Sequence, residues 1–255
     1  MNMKIHCLIE NTCATAGLTA EHGLSLLIET GEHRILFDTG ASAAFAANAA
    51  HMGLDLSTID MAVLSHGHYD HGGGLERFME LNTHSPIWGS PHAFEPHFNA
   101  RGKDIGLSPA LQFHPRMRTG ISELAPGITL HSGDCIPVEP SEMTAICNGV
   151  CIQEDFRHEQ YLLIHEGDKR ILFSGCSHRG ILNIATHFRP DVLVGGFHLM
   201  NATDTARLHQ LAVRLMELPT TYYTGHCTGD FAFATMQPLM GNRLKSLCTG
   251  ISLEI

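Results

Sequence analysis

The stretch LSHGHYDHGGG, residues 64–74, places three histidines and an aspartate within six positions and follows them with three glycines. His66 and His68 lie two apart, so in an extended or turning backbone their imidazoles point to one side and can grip one ion. Asp70 and His71 come after a turn, where their side chains can face a second ion close to the first. Nitrogen ligands joined by a carboxylate make a zinc-type set, although iron and manganese use similar donors. Gly72, Gly73 and Gly74 would let the backbone pass close beneath such a centre and enter the next helix without a side-chain clash. A two-metal site needs further ligands from elsewhere in the chain.

The segments that must position these residues carry the other candidates at their ends. LSLLIET (24–30) and RILFDTG (34–40) read as two strands about a tight turn, the Ala-rich 41–52 as a helix, MAVLSH (61–66) as a buried strand and 75–81 as a helix. The plan recurs. LLIETGEHRILFDTG from Leu26 aligns with LLIHEGDKRILFSGC from Leu162, and IDMAVLSH, ending at His66, resembles RPDVLVGGFH, ending at His198. Asp38 and Cys176 thus close corresponding strands, though in different columns, with His178 just beyond, and a later strand, TTYYTGH, ends at His226. Layered α/β folds gather their sites outside the carboxyl ends of strands, where Asp38, His66, His178, His198 and His226 would all stand. A buried carboxylate such as Asp38 must be paired or hydrogen-bonded.

The expected fold class is therefore α/β: two stacked sheets flanked by helices, in one domain over 1–255 with two repeated halves. From Trp88 to Glu159 prolines and glycines collect and the pattern breaks, so about 88–159 reads as a cap inserted over the site, with Asp155 and Glu159 available to support it. Within the cap, Arg101, Lys103, Arg116 and Arg118 stand among His92, His97 and His114 and could hold a phosphate or carboxylate, which makes the expected partner a small, anionic molecule.

Composition narrows the classes. A formal charge of −10 argues against a nucleic acid as main partner. The N-terminus has no long apolar run and no later stretch reaches the roughly 18 apolar residues of a membrane span, so a soluble cytoplasmic protein is expected. Eight cysteines without a CxxC pair read as reduced thiols. Cys147 and Cys151 could approach on a helix but find no further zinc ligands, and Cys13 and Cys227 read as core or loop thiols. The 19 histidines outnumber Lys plus Arg, at 16, which agrees with metal chemistry. Oligomeric state is left open.

HGHYDH matches the HxHxDH signature of the metallo-β-lactamase superfamily, and FDTG (37–40) resembles its first motif. SGCSH (174–178) and TGHCTG (224–229) stand where later motifs belong. SGCSHRGILN, GGFH and GHCTG together more closely resemble the dihydropteroate-synthase-like branch associated with methanopterin-type pterin biosynthesis. The resemblance spans essentially the whole chain and implies a four-layer αββα sandwich holding two divalent ions, zinc foremost. It implies His66, His68, Asp70 and His71 as ligands, His226 as the last-motif ligand, and His178 as the ligand on the SGCSH loop in preference to His158. Asp38 would orient the metal-binding loop, and His198 would contact substrate or developing charge. One departure stands out: where most relatives carry a bridging aspartate, Cys176 follows Gly175, which makes Cys176 a candidate ligand.

The function so implied is a hydrolase in which a metal-bound hydroxide attacks a small ester or phosphoester, Asp70 positioning the water and accepting a proton. The branch implies an alternative, a transferase-type step in pterin or folate-like cofactor synthesis. A non-catalytic metal or ligand sensor is a third reading, recognised by binding without turnover. A flavin-partnered di-iron redox protein is disfavoured, because the oxygen-reducing branch carries a carboxylate where His68 stands.

Overall fold

Strands apolar on both faces set the architecture. Leu26, Ile28, Ile35 and Phe37 turn to one side while Leu27 and Leu36 turn to the other, and all are fully buried. Side chains alternate along a strand, so a sheet built this way must be covered on both faces. The computed structural model describes residues 3–120, 122–139 and 141–255.

The first half runs β1 (Lys4–Ile9), β2 (Ser25–Glu29), β3 (Arg34–Phe37), α1 (Ala44–His51), β4 (Met61–Val63), α2 (Tyr69–Gly72), α3 (Leu75–Leu81) and β5 (Ile87–Gly89). The middle contributes β6 (His97–Phe98), β7 (Met117–Thr119), β8 (Ser122–Ala125), β9 (Ile128–Ser132), β10 (Thr144–Cys147) and β11 (Val150–Gln153). The second half runs β12 (Gln160–Glu166), β13 (Lys169–Phe173), α4 (Ile181–Phe188), β14 (Val192–Val194), α5 (Thr205–Met216), β15 (Thr221–Thr224), α6 (Asp230–Met240), β16 (Leu244–Ser246) and β17 (Ser252–Glu254).

Two seven-stranded sheets result, ordered β17-β1-β2-β3-β4-β5-β7 and β16-β15-β14-β13-β12-β9-β8. The repeat seen in the sequence is a repeat in space. β2 and β3 pair antiparallel with Leu26 opposite Phe37, and β12 and β13 do so with Leu162 opposite Phe173. β3, β4 and β5 then run parallel, as do β13, β14 and β15. The inner faces meet in one core, where the Phe37 and Phe173 rings lie 5.8 Å apart. Phe45 of α1 and Phe78 of α3 cover the outer face of the first sheet, and Ile184, Leu208 and Met236 of α4, α5 and α6 cover that of the second. The layers are therefore αββα. No helix among the described residues is long and apolar enough to cross a membrane.

The segment 88–159 departs from the expected cap. β7 completes the first sheet, and β8 and β9 complete the second, leaving the three-stranded sheet β11-β10-β6 as the part that stands apart. These strands were illegible because they are short and half-polar, as in MRT and ITLHS, and lack the continuous apolar run of the doubly buried strands. Cys147 and Cys151 lie not on a helix but on a hairpin, with Ile146 opposite Cys151. Its two-residue turn, Asn148-Gly149, has both residues at positive φ, 51° and 78°, the geometry that Asn-Gly favours.

Candidate metal centre

Parallel strands deliver their carboxyl ends to one edge of the sandwich, and the loops leaving β3, β4, β13, β14 and β15 converge there. Asp38 follows β3; His66 and His68 follow β4 and lead into α2, which carries Asp70 and His71. Cys176 and His178 follow β13, His198 follows β14 and His226 follows β15. Asp38, Ser177, His198 and His226 all take left-handed backbone, with φ of 58°, 58°, 52° and 49°. Non-glycine residues accept that conformation at a cost, and its concentration here turns each chain sharply at the site.

The buried Asp38 organises the first-half ligands. Its Oδ1 accepts the Ser65 N–H at 2.7 Å, and its Oδ2 accepts the Ser65 hydroxyl at 2.7 Å and His71 Nδ1–H at 2.7 Å. The Ser65 oxygen lies 2.8 Å from His66 Nδ1 and so accepts that proton. One carboxylate thereby sets the tautomers of His66 and His71, leaving the Nε2 of each for a ligand. His226 is set from β1's end: its Nδ1–H donates to Asn11 Oδ1 at 2.9 Å, and its backbone N–H to Glu10 Oε1 at 2.5 Å. His178 is held by Glu159, which accepts its backbone N–H at 2.8 Å, that of Arg179 at 3.2 Å and the Tyr161 hydroxyl at 2.6 Å.

The free ends gather in two groups. His66, His68 and His178 present donor atoms that all lie within 4.8 Å of one another, with His66 Nε2 and His178 Nε2 3.3 Å apart. In the second group His71 Nε2 lies 3.2 Å from Cys176 Sγ and 3.2 Å from His226 Nε2, which is itself 3.3 Å from Asp70 Oδ2. His68 Nε2 is buried without any hydrogen-bond partner. A buried polar atom is rarely left so, and a cation in this group would supply what it lacks. The donors fit two divalent ions: three imidazoles at one position, and Asp70, His71, His226 and the Cys176 sulfur at the other.

Electrostatics differ between the groups. Burial, reinforced by repulsion from neighbouring imidazoles, drives His66 and His178 well below the usual histidine range, and burial takes His68 to about 3. Their lone pairs are proton-free at neutral pH. Burial also opposes charge on His71, but the Asp38 and Asp70 carboxylates outweigh it and hold the ring up to about 9. Asp70 is kept well below the carboxylate range against the opposing effect of burial, by His71, His22 and His226. An imidazolium between two carboxylates stands where a metal would put its charge.

His198 sits beside this pair, its ring 4.3 Å from that of His178 and open to solvent. The four basic candidates do not converge. Arg101 lines the cavity over the metal ligands, but Lys103 sits above the Tyr69 ring at 5.6 Å. Arg116 donates to the carbonyls of Met79 and Ser85, and Arg118 to those of Pro115 and Met117, so these two guanidiniums tie loops together. Charged side chains in an unresolved pattern could not be sorted by sequence into cavity and scaffold. The glycines also differ from expectation: a side chain on Gly73 or Gly74 would strike the carbonyl oxygens of Ala41 and Thr39, so they make room for the loop after β3.

Several contributors escaped the sequence reading. His22, from the loop after β1, places Nε2 3.3 Å from Asp70 Oδ2, and Asn11 anchors His226. His158 accepts the Gly67 N–H at 2.8 Å and stacks 3.9 Å from His97, whose Nδ1–H donates to Glu154 at 2.7 Å. Glu159 braces the His178 loop rather than a cap, and Cys227 is buried against Cys176. Only the histidine count hinted at His22, whereas His158 stands near the position expected of the third-motif histidine, where His178 is preferred to it.

Above the ligands lies a cavity of about 500 Å³, lined in part by His22, Arg101 and Cys176. A second, of about 470 Å³, is walled by Phe156, Phe197 and Leu211, and the two share His178, His198, Asn201 and Ser141.

Residues 18–144 match the sequence model of the metallo-β-lactamase superfamily. The chain is 31% identical over 263 residues to 7,8-dihydropterin-6-methyl-4-(β-D-ribofuranosyl)-aminobenzene-5'-phosphate synthase of Methanocaldococcus jannaschii, covering 89% of this chain and 88% of that one. It is similar in structure to a metal-dependent hydrolase of the β-lactamase superfamily, with a TM-score of 0.84 and 28% identity over 99% of each chain. It also shares its fold with Zn2+-bound PqqB from Methylobacterium extorquens, at a TM-score of 0.60 and 13% identity over 99% of this chain and 100% of that one.

Proposed function

This chain belongs to the metallo-β-lactamase superfamily, and from that premise we propose that it is a metal-dependent transferase joining a pterin-type substrate to an aromatic amine. The observation that carries this reading is the junction of two cavities of similar size at His178 and His198. Hydrolysis needs room for one organic reactant, because water is the other; group transfer needs room for two, meeting at the reacting atoms. The name of the relative at 31% identity describes a dihydropterin 6-methyl carbon joined to an aminobenzene that bears a ribose phosphate, which supplies two such reactants.

In the step proposed, the amine nitrogen attacks the pterin methyl carbon as the bond from that carbon to a phosphate-type leaving group breaks. The leaving group departs with the electron pair, and the nitrogen gives up a proton to water. His66, His68 and His178, and Asp70, His71, His226 and Cys176, would hold two divalent cations, zinc foremost with iron or manganese as alternatives, which neutralise charge on a departing phosphate oxygen when bound. Asp38 keeps His71 oriented for this. His198, at the cavity junction, has its pKa raised against the opposing effect of burial, chiefly by the Cys227 sulfur, and donates a hydrogen bond to the leaving group. Phe156, itself buried and stacked on His178 with ring centres 4.6 Å apart, backs the apolar wall of the second cavity, where an aromatic ring would lie. Arg101 lies where a phosphate would enter. The cysteines are all free thiols, the state a reducing compartment such as the cytoplasm preserves.

The test incubates metal-loaded protein with a dihydropterin phosphorylated on its 6-hydroxymethyl oxygen, with and without an aminobenzene. The coupled product, seen by mass spectrometry together with an equal amount of released phosphate, is the expected result. Phosphate release that ignores the amine would replace this reading with the second one, hydrolysis of a phosphoester, which the structural likeness to a metal-dependent hydrolase favours. Binding without either product would leave a sensor.

A further inference from the structure

A third group of donors adjoins the two already described. Cys176 Sγ, Cys227 Sγ and a ring nitrogen of His198 all lie within 4.8 Å of one another. Both sulfurs are buried, at 3% and 2% residue exposure, whereas a thiol merely filling space would be walled by apolar atoms. Cys227 Sγ instead accepts the His198 backbone N–H at 3.3 Å, and its own weak S–H points at the Cys176 carbonyl 3.5 Å away. Gly196 clears its space, since any side chain there would collide with this sulfur.

The donors are also fixed in place. The Cys227 carbonyl accepts the N–H groups of Leu199 and Met200, each at 2.9 Å, and the Thr228 hydroxyl accepts that of Phe197 at 2.9 Å, so the loop after β14 is clamped to the loop after β15 on either side of His198. His198 itself holds left-handed backbone at φ 52°. All three residues line the cavity above the metal ligands.

We propose that Cys176, His198 and Cys227 form a third cation position, selective for a thiophilic divalent ion of the zinc type, with its fourth coordination place open to the cavity. A tetrahedral ion with bonds of about 2.3 Å to sulfur and about 2.0 Å to nitrogen separates its ligand atoms by roughly 3.5–4 Å, inside the 4.8 Å within which the three donor atoms already lie. Two sulfurs and an imidazole suit such an ion and discriminate against magnesium and calcium, which take oxygen. Cys176 is the shared donor, lying also 3.2 Å from His71 Nε2, so its sulfur would bridge this position to the main pair. An ion there would face the same substrate as the pair. The assignment holds whether the enzyme transfers or hydrolyses.

The test titrates the reduced, metal-stripped full chain with Co2+, following near-ultraviolet thiolate-to-cobalt absorption and metal content per chain. Expected are a third bound ion and absorption of two thiolates; Cys227→Ser loses that ion and about half the absorption, while Cys135→Ser, at an exposed thiol, changes neither. Because Cys227→Ser could fail to fold, the wild-type chain is also alkylated with and without Co2+, and peptide masses should show Cys176 and Cys227 protected by the ion. Two ions per chain, absorption of one thiolate or none, unprotected Cys227, or a Cys176–Cys227 disulfide under reducing conditions would each overturn the proposal.

Discussion

Replacing Asp38 with asparagine removes one charge from a fully buried position and reverses the polarity of the atom facing His71. In the wild type the ring is held at about 9 against an ordinary 6.5, a difference near 2.5 units. At roughly 1.4 kcal/mol per unit that corresponds to about 3–4 kcal/mol of stability in the metal-free protein. Because the folded pKa is the higher one, this contribution is complete below pH 6.5 and disappears as pH rises through about 9. The metal-free Asp38→Asn chain should therefore be less stable by about 2–3 kcal/mol near pH 6, with the gap narrowing toward alkaline pH. Metal binding gives the sharper reading. An ion at His71 must displace its proton, so wild-type affinity at that position should rise about tenfold per pH unit up to pH 9 and then level off. In the variant, His71 loses the Nδ1–H acceptor that orients Nε2, and affinity should fall 10- to 100-fold with its plateau moved toward neutral pH. Urea denaturation of stripped protein and chelator competition across pH 6–10 measure both quantities. Affinity within threefold of wild type and the same pH slope would refute the claim that one carboxylate sets this ligand.

Other perturbations separate positioning from ligation. Gly73→Ala drives a methyl group into the carbonyl oxygens of Ala41 and Tyr69 and should cost 1–3 kcal/mol or more of stability, read by urea denaturation. Asn11→Ala releases His226 Nδ1, and isothermal titration should show the Asp70–His71–His226 position weakened about 10- to 100-fold while the three-histidine position is unchanged. His158→Ala leaves the Gly67 N–H buried and unpaired, at about 1–3 kcal/mol, and should loosen the loop bearing His66 and His68; hydrogen exchange at Gly67 should speed up.

The legible part of this protein was what lies close in sequence. Continuous apolar runs produced the central strands, and the alignment of Leu26–Gly40 with Leu162–Cys176 foretold the paired hairpins because each is closed by its own short turn. The edge strands β7 and β8, and β9 beside β8, were missed because their polar alternate residues read as loop. Arg116 and Arg118 looked like an anion pocket for a related reason: a guanidinium bonded to carbonyls and one facing solvent have the same sequence.

HGHYDH by itself points to a metal-ligating turn after a buried strand, since the donor spacing and the glycines act over a few residues. It does not determine what completes the set. His22 reaches Asp70, Asn11 orients His226, and Cys227 meets Cys176 only because β1, β13 and β15 end at one edge of stacked sheets, and a contact across 48 residues or more leaves no local trace in composition or periodicity. The local backbone chose the chemistry, and the packing of two sheets chose the partners.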